Sequence, residues 1–490
     1  MVNMDDPIHP FPKNDHFFVS DLDSEALVNN LDKKRQADAS VQQAVQENNS
    51  FHWHVFVKKR RNRIFLSTLL LHCVMFFDST LMAPHITDIA NDLNINKNDR
   101  DFKIGGVLKS CQFSVGLFVT FFICKPVKYA DRSVVMLVLG MITCIVQVLL
   151  AYVTDFAQLL AARCILGLTL TSLDVFVFFA HEIFEESDQE TFLEVVGISF
   201  GVSLCLGKFV AVVVGNNFGW RYTFVVSGVL IFICNVYNAV NILLYYRHQA
   251  HENDDQEHLV ASKRQGAAMD MRPLDLGPPV IMPRKKKESE FKQLVREPLN
   301  VYLLCNELFV SIPSAVLGFF LNDFLCQDAG APSKYAALII ELCVGIGNVL
   351  GLLLSKKIVG INTFSAFINL KQWLVLVGFL HVISFFLLVI IFHVKFSYIM
   401  MFPAFLGSFF VGANTCIIRS ITTNKNSKKK HMHIFSTLNT FDSIGKGPGL
   451  LLITALVATL KRKAAFSLAL VGYLLSAISS MVCCWVLDTE

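Results

Sequence analysis

Twelve predominantly apolar runs dominate this chain, each close to the roughly 20 residues that an α-helix needs to cross a bilayer. They are Ile64–Pro84, Ile104–Cys124, Val134–Val153, Phe156–Phe179, Val195–Val214 and Tyr222–Tyr245, then Leu299–Phe320, Ala336–Leu354, Trp373–Phe392, Tyr398–Ile418, Ile434–Leu460 and Phe466–Val486. Lipid offers the backbone no hydrogen bonds, so a run buried there must satisfy itself, and a helix does so. Composition excludes the soluble alternative. Hydrophobic residues make up 53% of the chain and charged residues 17%, too few charges to clothe a water-soluble body of 490 residues. The fold class that follows is an all-α membrane protein with twelve transmembrane helices in two six-helix halves.

The polar stretches set the organisation. Residues 1–63 read as a cytosolic polar tail, whose Phe17, Phe18 and Trp53 are placed to dock on the body. Residues 64–245 form the first half, 246–298 a cytosolic linker, 299–486 the second half and 487–490 a short tail. The linker carries Asp254, Asp255 and Glu257, then Pro278, Pro279, Pro283 and the run Arg284-Lys285-Lys286-Lys287, a composition that builds no core. Around Phe291–Val295 it suits a segment lying on the membrane surface.

Lysine and arginine orient the chain, because cytoplasmic loops carry their excess. Lys58, Lys59, Arg60, Arg61 and Arg63 precede the first run, and Lys125, Lys128 and Arg132 follow the second. The linker, Lys356-Lys357 and Lys428-Lys429-Lys430 fall on the same side. Lys97, Arg100, Lys103, Lys334 and Lys395 fall on the other, where Lys461-Arg462-Lys463 breaks the pattern. Both termini and the linker are therefore expected in the cytosol, in a plasma or endolysosomal membrane.

Six runs, a long basic linker and six more runs is a layout that resembles the major facilitator superfamily. Asp131-Arg132 after the second run looks like the superfamily's gating latch, with Asp at a helix N-terminus and Arg reaching a neighbouring acid. Val127 stands where that loop carries a glycine, and Ser133-Val134-Val135 where it carries basic residues. Gly219-Trp220-Arg221-Tyr222-Thr223-Phe224 is similar to the superfamily's sixth-helix start, and Arg163 with Gly167 to its fourth helix. A finer resemblance, over about residues 70–225, is to the Spinster-like lipid transporters. It is carried by Asp78-Ser79-Thr80 with Asp88-Ile89, by Gly106-Val107-Leu108 with Ser110 and Gly116-Leu117, and by Arg163-Cys164-Ile165-Leu166-Gly167 with Asp188-Gln189. Ser79 replaces the arginine usual after that first Asp, and Leu170 the glutamate of a Gly-Glu-Ala-Ser turn. The resemblance implies a lysophospholipid or sphingolipid-like substrate.

Charges inside apolar runs cost at least a few kcal/mol, so each is a functional candidate. Asp78, Lys109, Arg163 and Lys208 all fall in the outer half of their runs, and Asp174 near the inner end of its own. Asp78 is placed to pair with Arg163 or Lys208, in a contact that protonation would break. Such a pair acts as a gate or coupling switch, or else as structure, and Lys109 is equally able to snorkel. Lys208 closes Gly201-Val202-Ser203-Leu204-Cys205-Leu206-Gly207, where it either attracts an anionic group or forms a private ion pair. The second half offers Glu307, Glu341, and Asp442 with Lys446 four residues on, hence on one helix face. Around them, Gly445-Lys446-Gly447-Pro448-Gly449 predicts a flexible or broken helix, as transporters place at binding sites.

The sequence argues against other classes. Gly445–Gly449 lacks the spacing of a nucleotide-binding loop, and His181-Glu182 lacks a zinc protease's second histidine. Lys430-His431-Met432-His433 reads as a solvated loop, and the 13 cysteines form no Cys-x-x-Cys pair, so no metal, cofactor or disulfide framework is expected. A net charge of +4 makes no case for nucleic acid. The expected function is secondary active transport of a small amphiphilic or anionic solute by alternating access, in a monomer with membrane lipids and a proton or other ion as partners. A sugar, amino acid or organic anion is the alternative substrate, and a non-transporting receptor on the same fold the alternative role. The substrate and coupling candidates are Asp78, Arg163, Lys208, Glu307, Asp442 and Lys446.

Overall fold

The computed structural model describes residues 60–123, 131–183, 189–267, 297–360, 369–426 and 428–489. All of the regular structure there is helical. Before the linker come α1 (Arg60–Met75), α2 (Asp78–Leu81), α3 (Ile86–Asp92), α4 (Leu108–Ile123), α5 (Arg132–Leu150), α6 (Phe156–Thr169), α7 (Ser172–Ile183), α8 (Gln189–Phe218) and α9 (Trp220–Ala267). After it come α10 (Pro298–Gln327), α11 (Lys334–Gly360), α12 (Leu370–His393), α13 (Met401–Lys425), α14 (Lys428–Ile444) and α15 (Leu450–Thr489). Among the described residues nine stretches are long and apolar enough to cross a membrane, and Phe156–Thr169 is a shorter apolar helix. One of the nine, Ser436–Leu487, doubles back at Lys461, whose φ of 64° and ψ of 159° break α15 into two arms. The helix α9 continues to Ala267, beyond the apolar run that ends at Tyr245. The aromatic residues of the tail and the Phe291–Val295 segment lie outside the described residues, as do the side chains of Lys356, Lys357 and Lys430–His433.

The first apolar run is not one helix. It breaks at Phe76–Phe77, resumes as α2, passes through a 3-10 turn at Ala83–His85 and resumes again as α3. Pro84 supplies no N–H and prevents an uninterrupted ladder. Around the first break the backbone closes tighter bonds, Ser79 N–H to Phe76 O at 3.1 Å and Thr80 N–H to Phe77 O at 2.9 Å. Irregular backbone at membrane depth is tolerated where protein surrounds it, and Asp78, Thr80 and Leu81 are all buried.

Two π-helical segments mark the seam between the helices before the linker and those after it. One, Asp101–Val107, leads into α4, and the other, Gly445–Gly449, joins α14 to α15. The run expected to break the helix thus widens it by a residue per turn instead, keeping the chain continuous through Pro448. Glycines let these segments touch. A Cβ on Gly106 would collide with Thr454, one on Gly105 with the Phe320 ring, and one on Gly447 with Phe113. The seam is completed by α8 against α11 and by the Ala83–His85 turn against α10.

The helices α11 and α13 pack together along much of their length. Gly347 and Gly351, four apart on α11, lie under the backbone of Phe405 and Phe409, and Gly412 on α13 lies under the Asn348 carbonyl. This is the small-residue spacing that drives helix association where lipid leaves no hydrophobic gain. Gly351→Val would force the Phe409 carbonyl away. We expect a loss of about 1–3 kcal/mol, the usual cost of overpacking, seen as a lower melting temperature in detergent. The control is Gly318→Ala, where a Cβ meets nothing within 4 Å.

Candidate functional site

The break before α2 delivers Asp78 to the core of the first helix series. Its carboxylate takes Arg163 Nη1 at 2.6 Å and Gln147 Nε2 at 2.7 Å on one oxygen, and Gln112 Nε2 at 2.9 Å on the other. Arg163, from α6, is fully buried and lays its guanidinium 5.6 Å from the centre of the Phe224 ring. Lys109, from α4, donates to the Ser79 carbonyl at 3.0 Å and lies 5.1 Å from the Phe319 ring centre, across the seam. Of the two partners the sequence offered Asp78, Arg163 and Lys208, it takes Arg163. Every partner of Asp78 lies in the same helix series. Gln112 and Gln147 were not singled out from the sequence, although an amide inside an apolar run is a signal of the same kind as a charge.

Lys208 goes elsewhere. From α8 it crosses the seam to Glu341 on α11 at 2.6 Å, with side-chain exposures of 8% and 0%. Asn322 Nδ2 from α10 donates to the other Glu341 oxygen at 3.3 Å. The private ion pair that the sequence left open is therefore made, and made between the two helix series.

More pairs cross the seam at the end of the bundle remote from the linker. Arg100 Nη2 lies 3.4 Å from Asp323, Arg462 Nε 2.8 Å from Asp101, and Lys334 bonds Asp88. Arg462 also holds Asp323 at 2.6 Å and bonds Asp328, while Arg100 keeps Asp101 at 3.2 Å and reaches Thr87 at 2.8 Å. His85 bridges Asp88 and the Ala211 carbonyl, each at 2.9 Å. Burial pushes the Asp328 carboxyl up, and the Arg462 guanidinium beside it holds it down in part. This network explains the basic run that breaks the charge asymmetry, because the side chain of Arg462 is consumed by three carboxylates. Asp101, Asp323 and Arg462 escaped the sequence reading because they lie just outside the apolar runs, and only the irregular charge of residues 461–463 hinted at them.

Towards the linker end the seam is more open. Lys446, held by Asp442 at 2.6 Å, lies 5.2 Å from the Phe200 ring centre of α8, and both charged side chains keep about a fifth of their surface exposed. Arg419 of α13 extends to Gly197 of α8, where a Cβ would strike its guanidinium. Glu307 on α10 is half-buried and feels the charges of Asp442, Arg419 and Lys446. Glu307, Arg419, Asp442 and Lys446 thus gather four partly exposed charges inside an apolar bundle, where the two helix series face each other. Arg419 is the member that sequence reasoning missed, since it follows directly on an apolar run and reads as an interface anchor.

Asp131 caps α5, accepting the Ser133 N–H at 3.0 Å and the Ser133 hydroxyl. Burial would raise its carboxyl, but hydrogen bonds from Ser133 and Tyr246 outweigh that and hold it below the usual range. Tyr246 belongs to α9, so the described contacts of Asp131 stay within the first series. The side chain of Asp174 lies outside the described residues. The Trp220-Arg221 motif is a corner: both side chains bond Asp92, and Arg221 also bonds the Val153 carbonyl at 2.7 Å.

A helical bundle with a broken first helix around a buried carboxylate, ion pairs crossing one end of a seam and partly exposed charges towards the other is the build of a membrane carrier. The chain belongs to the Major Facilitator Superfamily, whose model matches residues 68–449. Solved structures agree in fold. A bacterial homologue of the human lysosomal transporter Spinster, inward-facing and unoccupied, superposes with a TM-score of 0.64 at 14% identity, over 88% of this chain and 98% of that one. The occupied form of that homologue gives 0.63 at 14% identity, over 87% and 97%. The human organic anion transporter MFSD10 gives 0.54 at 14% identity, over 86% and 100%. No curated protein matches the sequence.

Two outcomes follow. Asp78→Asn and Arg163→Leu each strand a buried partner, at about 3–5 kcal/mol. The double variant strands neither, so its melting temperature should lie above the value that additivity predicts, by a coupling of about 0.5–3 kcal/mol. Additive losses would mean that the pair contributes nothing as a pair. Asp131→Ala should cost about 1 kcal/mol as a lost helix cap. Because the folded carboxyl titrates below its unfolded value, that cost is full at neutral pH and fades as pH falls through the lowered value, which a melting series against pH would record.

Proposed function

We propose that this protein is a secondary active transporter of a small amphiphilic or anionic solute, working by rocking of two six-helix halves about a central cleft. The observation that carries the proposal is the asymmetry of the seam, with crossing ion pairs at the end remote from the linker and partly exposed Glu307, Arg419, Asp442 and Lys446 towards the other. With the linker and both termini in the cytosol, as the basic loops argue, this arrangement is the inward-facing state. It is also the state named for the bacterial Spinster homologue of like fold.

The cleft combines two cations with two carboxylates and the Phe200 ring, a setting for a solute with a charged group beside an apolar body. A lysophospholipid or sphingolipid-like molecule is the foremost reading, in keeping with the Spinster resemblance. Arg419 and Lys446 also favour an organic anion, the class named for the human neighbour of like fold. Asp78, Arg163 and Lys208 act above this cleft: the first two fix the broken first helix, and Lys208 joins the halves. Asp131 and Arg132 are the proposed latch at the linker side. Uphill flux would draw on a proton or other ion gradient, through a buried ion pair that a proton can break.

Uptake into proteoliposomes of labelled lysophospholipid, beside a panel of sugars, amino acids and organic anions and with or without a proton gradient, tests this. Gradient-driven lysolipid uptake is expected, reduced at least about tenfold in Asp78→Asn and in Lys446→Ala, the factor that 1.4 kcal/mol in an equilibrium makes. Uptake of a polar solute alone would keep the transporter and discard the lipid. Saturable binding without flux of any solute would support the receptor reading.

A further inference from the structure

The seam-crossing ion pairs differ in what each charge keeps when the halves part. Arg100 retains Asp101 on its own side, and Arg462 retains Asp323 and Asp328 on the other. Asp88 retains His85, and Lys334, a quarter exposed at the start of α11, has water at hand. Lys208 and Glu341 keep nothing of opposite charge. The only carboxylate against Lys208 among the described residues is Glu341, and the own-side partner of Glu341 is the neutral Asn322 amide. Both side chains are buried, Glu341 at 1% relative exposure and Lys208 at 6%.

We propose that Glu341 is the proton-coupling residue of this transporter, and that its coupling partner is Lys208 rather than the Asp78–Arg163 pair. This rests on the alternating-access reading above. When the remote end opens, the Glu341 carboxylate leaves Lys208 and takes a proton from the water that enters there, forming one O–H bond. Lys208, on a long flexible stem, keeps its charge by reaching that water. When the remote end closes, Lys208 returns and the O–H bond breaks. The proton passes to water on the linker side, which gains access to Glu341 as the halves part at that end. One proton thus crosses per cycle. Asp78 undergoes no such change, because Arg163, Gln112 and Gln147 move with it.

The surroundings of Glu341 leave it this role. From α8 it meets Lys208 and from α10 Asn322, whose amide oxygen takes the Cys326 thiol at 3.9 Å, and Lys334 lies about two turns away on its own helix. Cys205 of α8 faces Gly345, and Asp88 and Asp323 are held in the remote-end network by Lys334, Arg100 and Arg462. The helix α13 packs on α11 through the Phe405 and Phe409 backbone. Among these groups Lys208 is the one cation that the rocking motion takes away.

The test is hydrogen–deuterium exchange of the full chain in lipid nanodiscs, across neutral to mildly acidic pH and corrected for intrinsic rates. It is read in the remote-end segments 93–100, 328–333 and 461–463. In the wild type we expect exchange there to rise by up to about tenfold per unit of pH lost, the slope of a single linked proton. Glu341→Gln should exchange fast at every pH with no slope, and Lys208→Met likewise, which guards against one variant failing to fold. Unchanged exchange across α12 and α13 reports the fold. Asp78→Asn should retain the slope. A slope that survives Glu341→Gln, a slope abolished by Asp78→Asn, or a flat wild type whose remote end opens would each overturn the assignment. A remote end that opens in no variant, at no pH and with no added solute would instead overturn alternating access itself.

Discussion

A charge inside a bilayer has no water to fall back on, and this constraint organises the bundle. Every buried charge described here is paired with an opposite charge or lodged against carbonyls and rings, and the pairs sort into two kinds. Asp78 with Arg163 ties a broken helix to its own neighbours. Lys208 with Glu341, and the Arg100, Asp101, Asp323 and Arg462 group, tie one helix series to the other. Breaking a buried pair strands its members at about 3–5 kcal/mol. A pair of the first kind therefore fixes the broken helix within its own series, and a pair of the second kind fastens the two series together.

Backbone irregularity lies where these pairs need it. The break before α2 turns Asp78 towards Arg163, and the π segments at Asp101–Val107 and Gly445–Gly449 face the opposite series. Glycine serves the same seam: at Gly105, Gly106 and Gly447 a single methyl would separate helices that now touch. Close contact matters more here than in a soluble core, because lipid is as apolar as the side chains and burial alone gives no gain.

Much of this was legible in the chain. The apolar runs located the helical segments, because the bilayer imposes length and composition directly on the sequence, but they did not show the breaks inside the first and fourth runs. Charged residues inside those runs named Asp78, Arg163, Lys208 and Glu341, because burial of charge is too costly to be accidental. The spacing of Asp442 and Lys446 named their contact, since four residues make one helical turn. Less legible were the residues at the edges of the runs. Asp101, Asp323, Arg419 and Arg462 look like loop or interface charges, and Arg462 even opposes the basic asymmetry that orients the chain. Its three carboxylates come from far apart in the sequence, so no local pattern marks it.

The sequence by itself determined that the chain is a membrane helical bundle and which side chains had to find partners. It left open whether Asp78 would meet Arg163 or Lys208, and at Gly445–Gly449 it pointed to a flexible or broken helix where the structure has a widened one. Only the tertiary structure decided these, giving Arg163 to Asp78 within one series and Lys208 to Glu341 across the seam. The physical reason is one of range. Hydropathy and helical period are properties of neighbours along the chain, whereas an ion pair depends on which faces of distant helices are turned together, and packing alone sets that.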